Sequence, residues 1–153
     1  MGFIRAQQTY LGTIISKELE YDGSNNIIPV LSVAQGKQGK LHVTVRNNMS
    51  TPQYVGIYWF INDPNGLIAE EYTDWKGWPF PTRLNPSDTH EFQGGYFYFT
   101  KLGNYGTWID MLMGSSDSPV VVMSQRYIGR LCTVVSTQEY GFSEMAVSSF
   151  GKV

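Results

Sequence analysis

Between Tyr54 and Trp75 two apolar, aromatic-rich runs flank the tetrapeptide Asp63-Pro64-Asn65-Gly66. Proline at the second position of a turn presets φ at about −65°, Asp at the first can hydrogen-bond forward, and Gly at the fourth frees the exit. The stretch therefore predicts a β-hairpin with a loop longer than two residues. In its first arm Tyr54, Gly56, Tyr58 and Phe60 alternate with Val55, Ile57, Trp59 and Ile61. Both faces of that arm are apolar, so the strand is expected to lie centrally in a sheet, covered on both sides.

The rest of the chain repeats short strand patterns between turn signals. Leu11 to Tyr21 reads as a strand, Tyr21 to Asn26 as a turn cluster, and Ile27 to Val33 as a second strand placed at a sheet edge by Pro29. The cleanest alternation follows Gly36–Gly39. Leu41, Val43 and Val45 face one way and Lys40, His42, Thr44 and Arg46 the other, as in a half-buried antiparallel strand. After the hairpin, Trp75 to Pro81 has no strand period and two prolines, which predicts a loop. Asn85-Pro86-Ser87-Asp88 is a second turn, feeding a strand from His90 to Thr100 with a bulge at Gly94-Gly95. Tyr105, Thr107, Ile109, Met111 and Met113 share one face of the next strand; a polar loop spans 114–119. Val120 to Tyr127 and Arg130 to Val135 follow as strands broken at Gly129. Residues 1–10 and 136–153 carry sparse apolar residues and are expected to be arms around a core of residues 11–135. No window shows a sustained 3.6-residue period. About eight to ten short strands in a single domain, 1–153, indicate an all-β sandwich or barrel.

Composition removes several classes of function. Of 153 residues 42% are apolar and 16% charged, which argues against disorder, and 14% aromatics with 16 glycines suit many strands joined by tight turns. The formal charge of −2, with 11 Lys and Arg scattered along the chain, provides no basic stripe for nucleic acid. No run approaches the roughly 18 apolar residues of a membrane span. Gln7, Gln8 and Thr9 interrupt any signal-peptide pattern after Met1. The single cysteine, Cys132, sits in an apolar run and is expected to be a small buried hydrophobe outside any internal disulfide.

A resemblance adds to this reading. Gly36-Lys37 ahead of Leu41-His42-Val43-Thr44-Val45-Arg46-Asn47, then Trp59, Asp63-Pro64-Asn65-Gly66, Leu84 to Thr89 and Gly103-Asn104-Tyr105 resemble immunoglobulin-like modules of the CARDB type. The match spans roughly residues 36–127 and lacks the immunoglobulin cysteine pair. Similar modules recur in microbial surface proteins and in phage and viral structural proteins. The resemblance implies an Ig-like antiparallel β-sandwich with N- and C-terminal extensions. It also implies adhesion, spacing or assembly roles, in a virion or an extracellular surface assembly, and it transfers no catalytic residues.

Searches for chemistry come up empty. The chain has no G-x-S-x-G, H-E-x-x-H, phosphate loop or C-x-x-C. His42 and His90 read as surface residues, with no third ligand at useful spacing for a metal. Asp63 and Asp88 are explained by their turns. Asp110 is odder, lying mid-strand with Trp108 and Leu112 on its own face, either buried and hydrogen-bonded or facing water. The best candidate for function is the aromatic loop, where Trp75, Trp78 and Phe80 stand among prolines with Arg83 as a donor. Such a surface anchors a protein partner or stacks on a sugar ring; otherwise it folds back as a lid over the sandwich end. The expectation is a non-catalytic structural or assembly protein, with no cofactor or metal, acting through protein–protein contacts and self-association. A virion component (capsid, decoration or tail) or an appendage subunit would suit it. The alternative is a carbohydrate-binding module using residues 75–83.

Overall fold

The computed structural model describes residues 10–114 and 121–137, so most of both expected arms and the loop at 115–120 lie outside the described residues. Ten strands are present: β1 (Gly12–Tyr21), β2 (Ser24–Ile27), β3 (Val30–Ala34), β4 (Gln38–Asn47), β5 (Tyr54–Asn62), β6 (Ile68–Trp75), β7 (Thr89–Gln93), β8 (Phe97–Tyr98), β9 (Gly103–Gly114) and β10 (Val121–Val135). They form two sheets, one ordered β2-β1-β4-β7 with β8 also beside β4, the other ordered β3-β10-β9-β5-β6. The architecture is an all-β sandwich.

The alternating strands supply the core from both layers. Leu41, Val43 and Val45 of β4 meet Val55, Ile57, Trp59 and Ile61 of β5 and Tyr105, Ile109, Met111 and Met113 of β9, all buried. Trp59 lies at the centre. Its indole packs against Tyr72 with ring centroids 4.6 Å apart, and its Nε1–H donates to Glu70 Oε1 at 2.9 Å. The polar edge of a buried indole needs such a partner. A Cβ on Gly94 would sit 2.6 Å from the Trp59 ring, so only glycine lets the chain after β7 lie this close. Between the pairs His42↔Gln93 and Gly39↔Phe97 the chain from Gly94 to Tyr96 is one residue longer than the facing part of β4. That is the bulge expected at Gly94-Gly95.

The strand expected from His90 to Thr100 is thus two, β7 and β8, and three other strand assignments differ from the sequence expectation. Residues 24–26 are strand rather than turn, because the tight Asp22-Gly23 turn, both residues at positive φ, already reverses the chain. The single strand expected from Ile27 to Val33 is two edge strands in different sheets. Pro29, with no N–H for a ladder, marks the crossing, and β3 joins β10 in parallel, so the sandwich is not wholly antiparallel. Finally, β10 runs through Gly129 unbroken, paired there with Thr107. A Cβ at Gly129 would meet the Tyr127 hydroxyl at 2.4 Å. Gly129 thus makes room for a ring and does not end the strand.

Cys132 is buried, and burial pushes its thiol up to about 12. The β5–β6 turn is closed as its residues predict. Gly66 N–H bonds Asp63 O at 2.9 Å, and Asp63 Oδ1 accepts from the Asn65 and Leu67 N–H groups at 2.9 and 3.0 Å. Lys101 Nζ lies 3.0 Å from Asp63 Oδ2. Burial raises the Asp63 pKa, but Lys101 and the two backbone donors outweigh it and hold the carboxyl below its ordinary value. A depressed folded pKa contributes stability that is present above the unfolded value and lost as pH falls through the folded one. Asp63→Asn should therefore melt lower than the parent at neutral pH and lose less stability on acidification below about pH 4. Parallel acid limbs in thermal melts would contradict this account of the turn.

Candidate functional site

The site is assembled from the face of β5 that the core does not use. In an antiparallel pair, directly opposed residues lie on the same face. Since Ile57, Trp59, Ile61, Ile109 and Met111 fill the interior, the residues between them point out of the second sheet. Register then lines them up across three strands. Phe60, Trp108 and Ile128 form one row, Tyr58, Asp110 and Arg126 the next, and Gly56, Leu112 and Met123 a third. No described residue of another layer covers these rows. The expectation of a doubly covered β5 is not met among the described residues: β5 lies inside its sheet, between β9 and β6, with one face in the core and the other half-buried.

Within the middle rows the side chains brace one another. The Phe60 and Trp108 rings stack at 5.7 Å with 23° between their planes. From the β10 side the Arg126 guanidinium lies 4.1 Å from the centre of the Trp108 ring. Trp108 is thus flanked on both sides, by Phe60 from β5 and Arg126 from β10. Arg126 also forks onto Asp110, Nε to Oδ1 at 2.6 Å and Nη2 to Oδ2 at 3.0 Å. This answers the question Asp110 posed. It points outward yet is only 8% exposed, and its charge is met by a bidentate cation, whose own pKa it raises. Tyr58 Oη donates to Glu71 Oε2 at 2.7 Å, which raises the tyrosine pKa.

The aromatic loop joins this face at one end. Trp75 closes β6 opposite Gly56, and its indole lies where a Cβ on Gly56 would be, 2.6 Å from Trp75 Cδ2. Arg83 sits over the Tyr54 ring at 5.8 Å. Beyond them Trp78 and Phe80 are 67% and 81% exposed, so they do not fold back as a lid over the core. Turn bonds hold the loop: Trp78 N–H to Trp75 O at 3.0 Å, Phe80 N–H to Gly77 O at 2.8 Å and Thr82 N–H to Lys76 O at 3.1 Å. Of the residues expected at the site, Trp75 and Arg83 therefore belong to the margin of the sheet face, while Trp78 and Phe80 project past it. Sequence reasoning missed Tyr58, Phe60, Trp108, Arg126 and Ile128 as members of one surface. Its only signals were the two-sided apolar pattern of β5 and the mid-strand carboxylate Asp110.

The outer face of the other sheet carries a second correction. His42 is 6% exposed rather than a surface residue, because Glu20 and Glu91 from the neighbouring strands close over it. Its Nε2 lies 2.7 Å from Glu20 Oε1 and its Nδ1 3.0 Å from Glu91 Oε2. The hydrogen bond from His42 holds the Glu20 carboxyl below its ordinary value. With both ring nitrogens engaged, His42 clasps three strands. His90 is half-buried, edge-on to Phe92 at 4.6 Å, and burial lowers its pKa. Among the described residues no group of three or more His, Cys, Asp or Glu side chains is arranged to hold a metal ion.

No protein-family model matches the chain, and no curated protein matches it in sequence. Among solved structures it is similar to the C-terminal domain of wzt, at 14% identity and a TM-score of 0.56, over 83% of this chain and 75% of that one. It is also similar to a CARDB domain from Pyrococcus furiosus, at 14% identity and a TM-score of 0.47, over 85% and 99%. A Bacteroides uniformis β-glucuronidase 2 variant matches at 10% identity and a TM-score of 0.47, over 74% of this chain but 13% of the enzyme. At this identity the likeness to the wzt domain speaks for the sandwich fold alone.

Two substitutions test the bracing of the face. Gly56→Ala should lever the Trp75 indole off the sheet, seen as a red shift in tryptophan emission, at a cost of about 1–3 kcal/mol from local overpacking. An unchanged spectrum would contradict the contact. Arg126→Ala should lower the melting temperature, though by less than breaking a fully buried pair, because the arginine is partly solvated. Adding Asp110→Asn should recover part of that loss in denaturant melts, and no recovery would show that the carboxylate does not depend on Arg126.

Proposed function

We propose that this chain is a non-catalytic assembly module that binds another protein through the outer face of the second sheet and the loop at residues 75–83. The observation that carries the reading is the outer face of β5, β9 and β10. Phe60, Trp108, Tyr58, Leu112, Met123 and Ile128 stand together on it without cover from any described residue. Contiguous apolar surface of this kind marks interaction sites on folded proteins. Aromatic residues and arginine are also the side chains enriched at interface centres. The setting we propose is a repeated protein assembly, a virion or a surface appendage being the kinds that the sequence resemblance implies.

A carbohydrate-binding module is the second reading, and the open rings of Trp78 and Phe80 favour it. The sheet face suits sugars less well. Stacking on a sugar needs a free ring face, and both sides of Trp108 are already flanked, by Phe60 and Arg126. Replacing Phe80 by a photo-crosslinking phenylalanine analogue in the native host separates the two. Covalent adducts with a protein are the expected result. Absence of protein adducts, together with Trp78-dependent retention on immobilised glycans, would overturn the assembly reading in favour of the carbohydrate one.

A further inference from the structure

We propose that the protein docked on the outer face of the second sheet is a second copy of this chain, packed sheet on sheet about a two-fold axis parallel to the strands. This rests on the reading of that face as a protein contact and names the partner. The argument is the placement of charge around the apolar rows. At one margin, Glu71 of β6 lies opposite Phe60 and points outward with it. Its carboxylate accepts from the neutral Tyr58 hydroxyl, and no cation pairs with it among the described residues. At the other margin stands Arg130 of β10, opposite Gly106 on the same outward face. Arg130 donates to the uncharged Thr133 Oγ1 at 2.6 Å and to the Val30 carbonyl at 3.5 Å, and no carboxylate pairs with it among the described residues. Arg126, beside it, is neutralised by Asp110. The face thus carries the Glu71 carboxylate at its β6 margin and the Arg130 guanidinium at its β10 margin, with aromatic and aliphatic side chains and the neutralised Asp110–Arg126 pair between them and Arg83 at the loop end.

Two copies can meet face to face with two-fold symmetry in two ways. An axis perpendicular to the strands lays β6 on β6 and β10 on β10, so Glu71 of one copy stays a sheet's width away from Arg130 of the other. An axis parallel to the strands lays β6 of each copy over β10 of the other and β5 over β9. Glu71 then faces Ile128 and its neighbour Arg130, while Phe60 faces Trp108. Packed sheets lie about 10 Å apart with strands within about 30° of each other, a gap that these long side chains span. Opposite charges across an interface fix register, and the second arrangement brings Glu71 to Arg130 where the first does not, so the geometry favours the second. The contact is isologous, so it closes at two copies and does not propagate.

The test is the molar mass of the full chain by light scattering, from micromolar to submillimolar concentration. The parent should shift from monomer to dimer. Ile128→Asp, at a position 62% exposed, should remain monomeric with an unchanged melting temperature. The double variant Glu71→Lys with Ile128→Asp should recover the dimer, because each new aspartate then meets a lysine of the other copy. A parent that stays monomeric throughout overturns the proposal, as does a dimer that survives Ile128→Asp or a double variant that is not rescued. If the parent is monomeric while position 80 still crosslinks to a different protein, the second copy is excluded and the assembly reading stands.

Discussion

A two-layer sandwich has one interior, and β5 carries apolar side chains on both of its faces. That mismatch governs the rest of the structure. The Val55, Ile57, Trp59 and Ile61 side goes to the core, where all four are buried. The Tyr54, Tyr58 and Phe60 side is left half-buried, and β9 and β10 extend it instead of covering it. A lone apolar residue on a surface needs no explanation, but a row continued in register across three strands does.

The two faces are stabilised by different means. Inside, shape dominates: Trp59 fills the centre, Tyr72 and Gly94 are fitted to its ring, and Glu70 satisfies its N–H. Outside, the aromatic rings are fixed by electrostatics. The Asp110 carboxylate holds Arg126, Arg126 lies against Trp108, and Trp108 stacks on Phe60. A mid-strand carboxylate with low exposure on an outward face costs stability unless it is paired. Here the pair orients side chains from three strands, so a partner docking on them would cost little further side-chain entropy.

Much of the fold was legible in the sequence. The Asp63-Pro64-Asn65-Gly66 turn, the alternation at Leu41, Val43 and Val45, and the shared face of Tyr105 to Met113 all follow from local chemistry with a fixed period. The misplacements share a different cause. Pro29 separates two sheets instead of marking one edge strand, Gly129 makes room for Tyr127, and His42 is covered by Glu20 and Glu91; each depends on a neighbour distant in sequence or on a side-chain packing that periodicity cannot express. The candidate site divides the same way. The loop of Trp75, Trp78, Phe80 and Arg83 is one contiguous stretch and was visible. The sheet face draws residues from β5, β9 and β10, and only strand register brings them together.

The central claim is that the outer face of the second sheet is covered when the protein is at work. Hydroxyl-radical footprinting tests it directly by comparing dilute protein with the same protein in its native assembly. In dilute solution Met123 and Ile128 should react readily and Trp59 hardly at all. In the assembly, Met123, Ile128 and Phe60 should become protected, while Tyr96 and Tyr98 beside the first sheet keep their reactivity. Equal oxidation of Met123, Ile128 and Phe60 in both states would contradict the account.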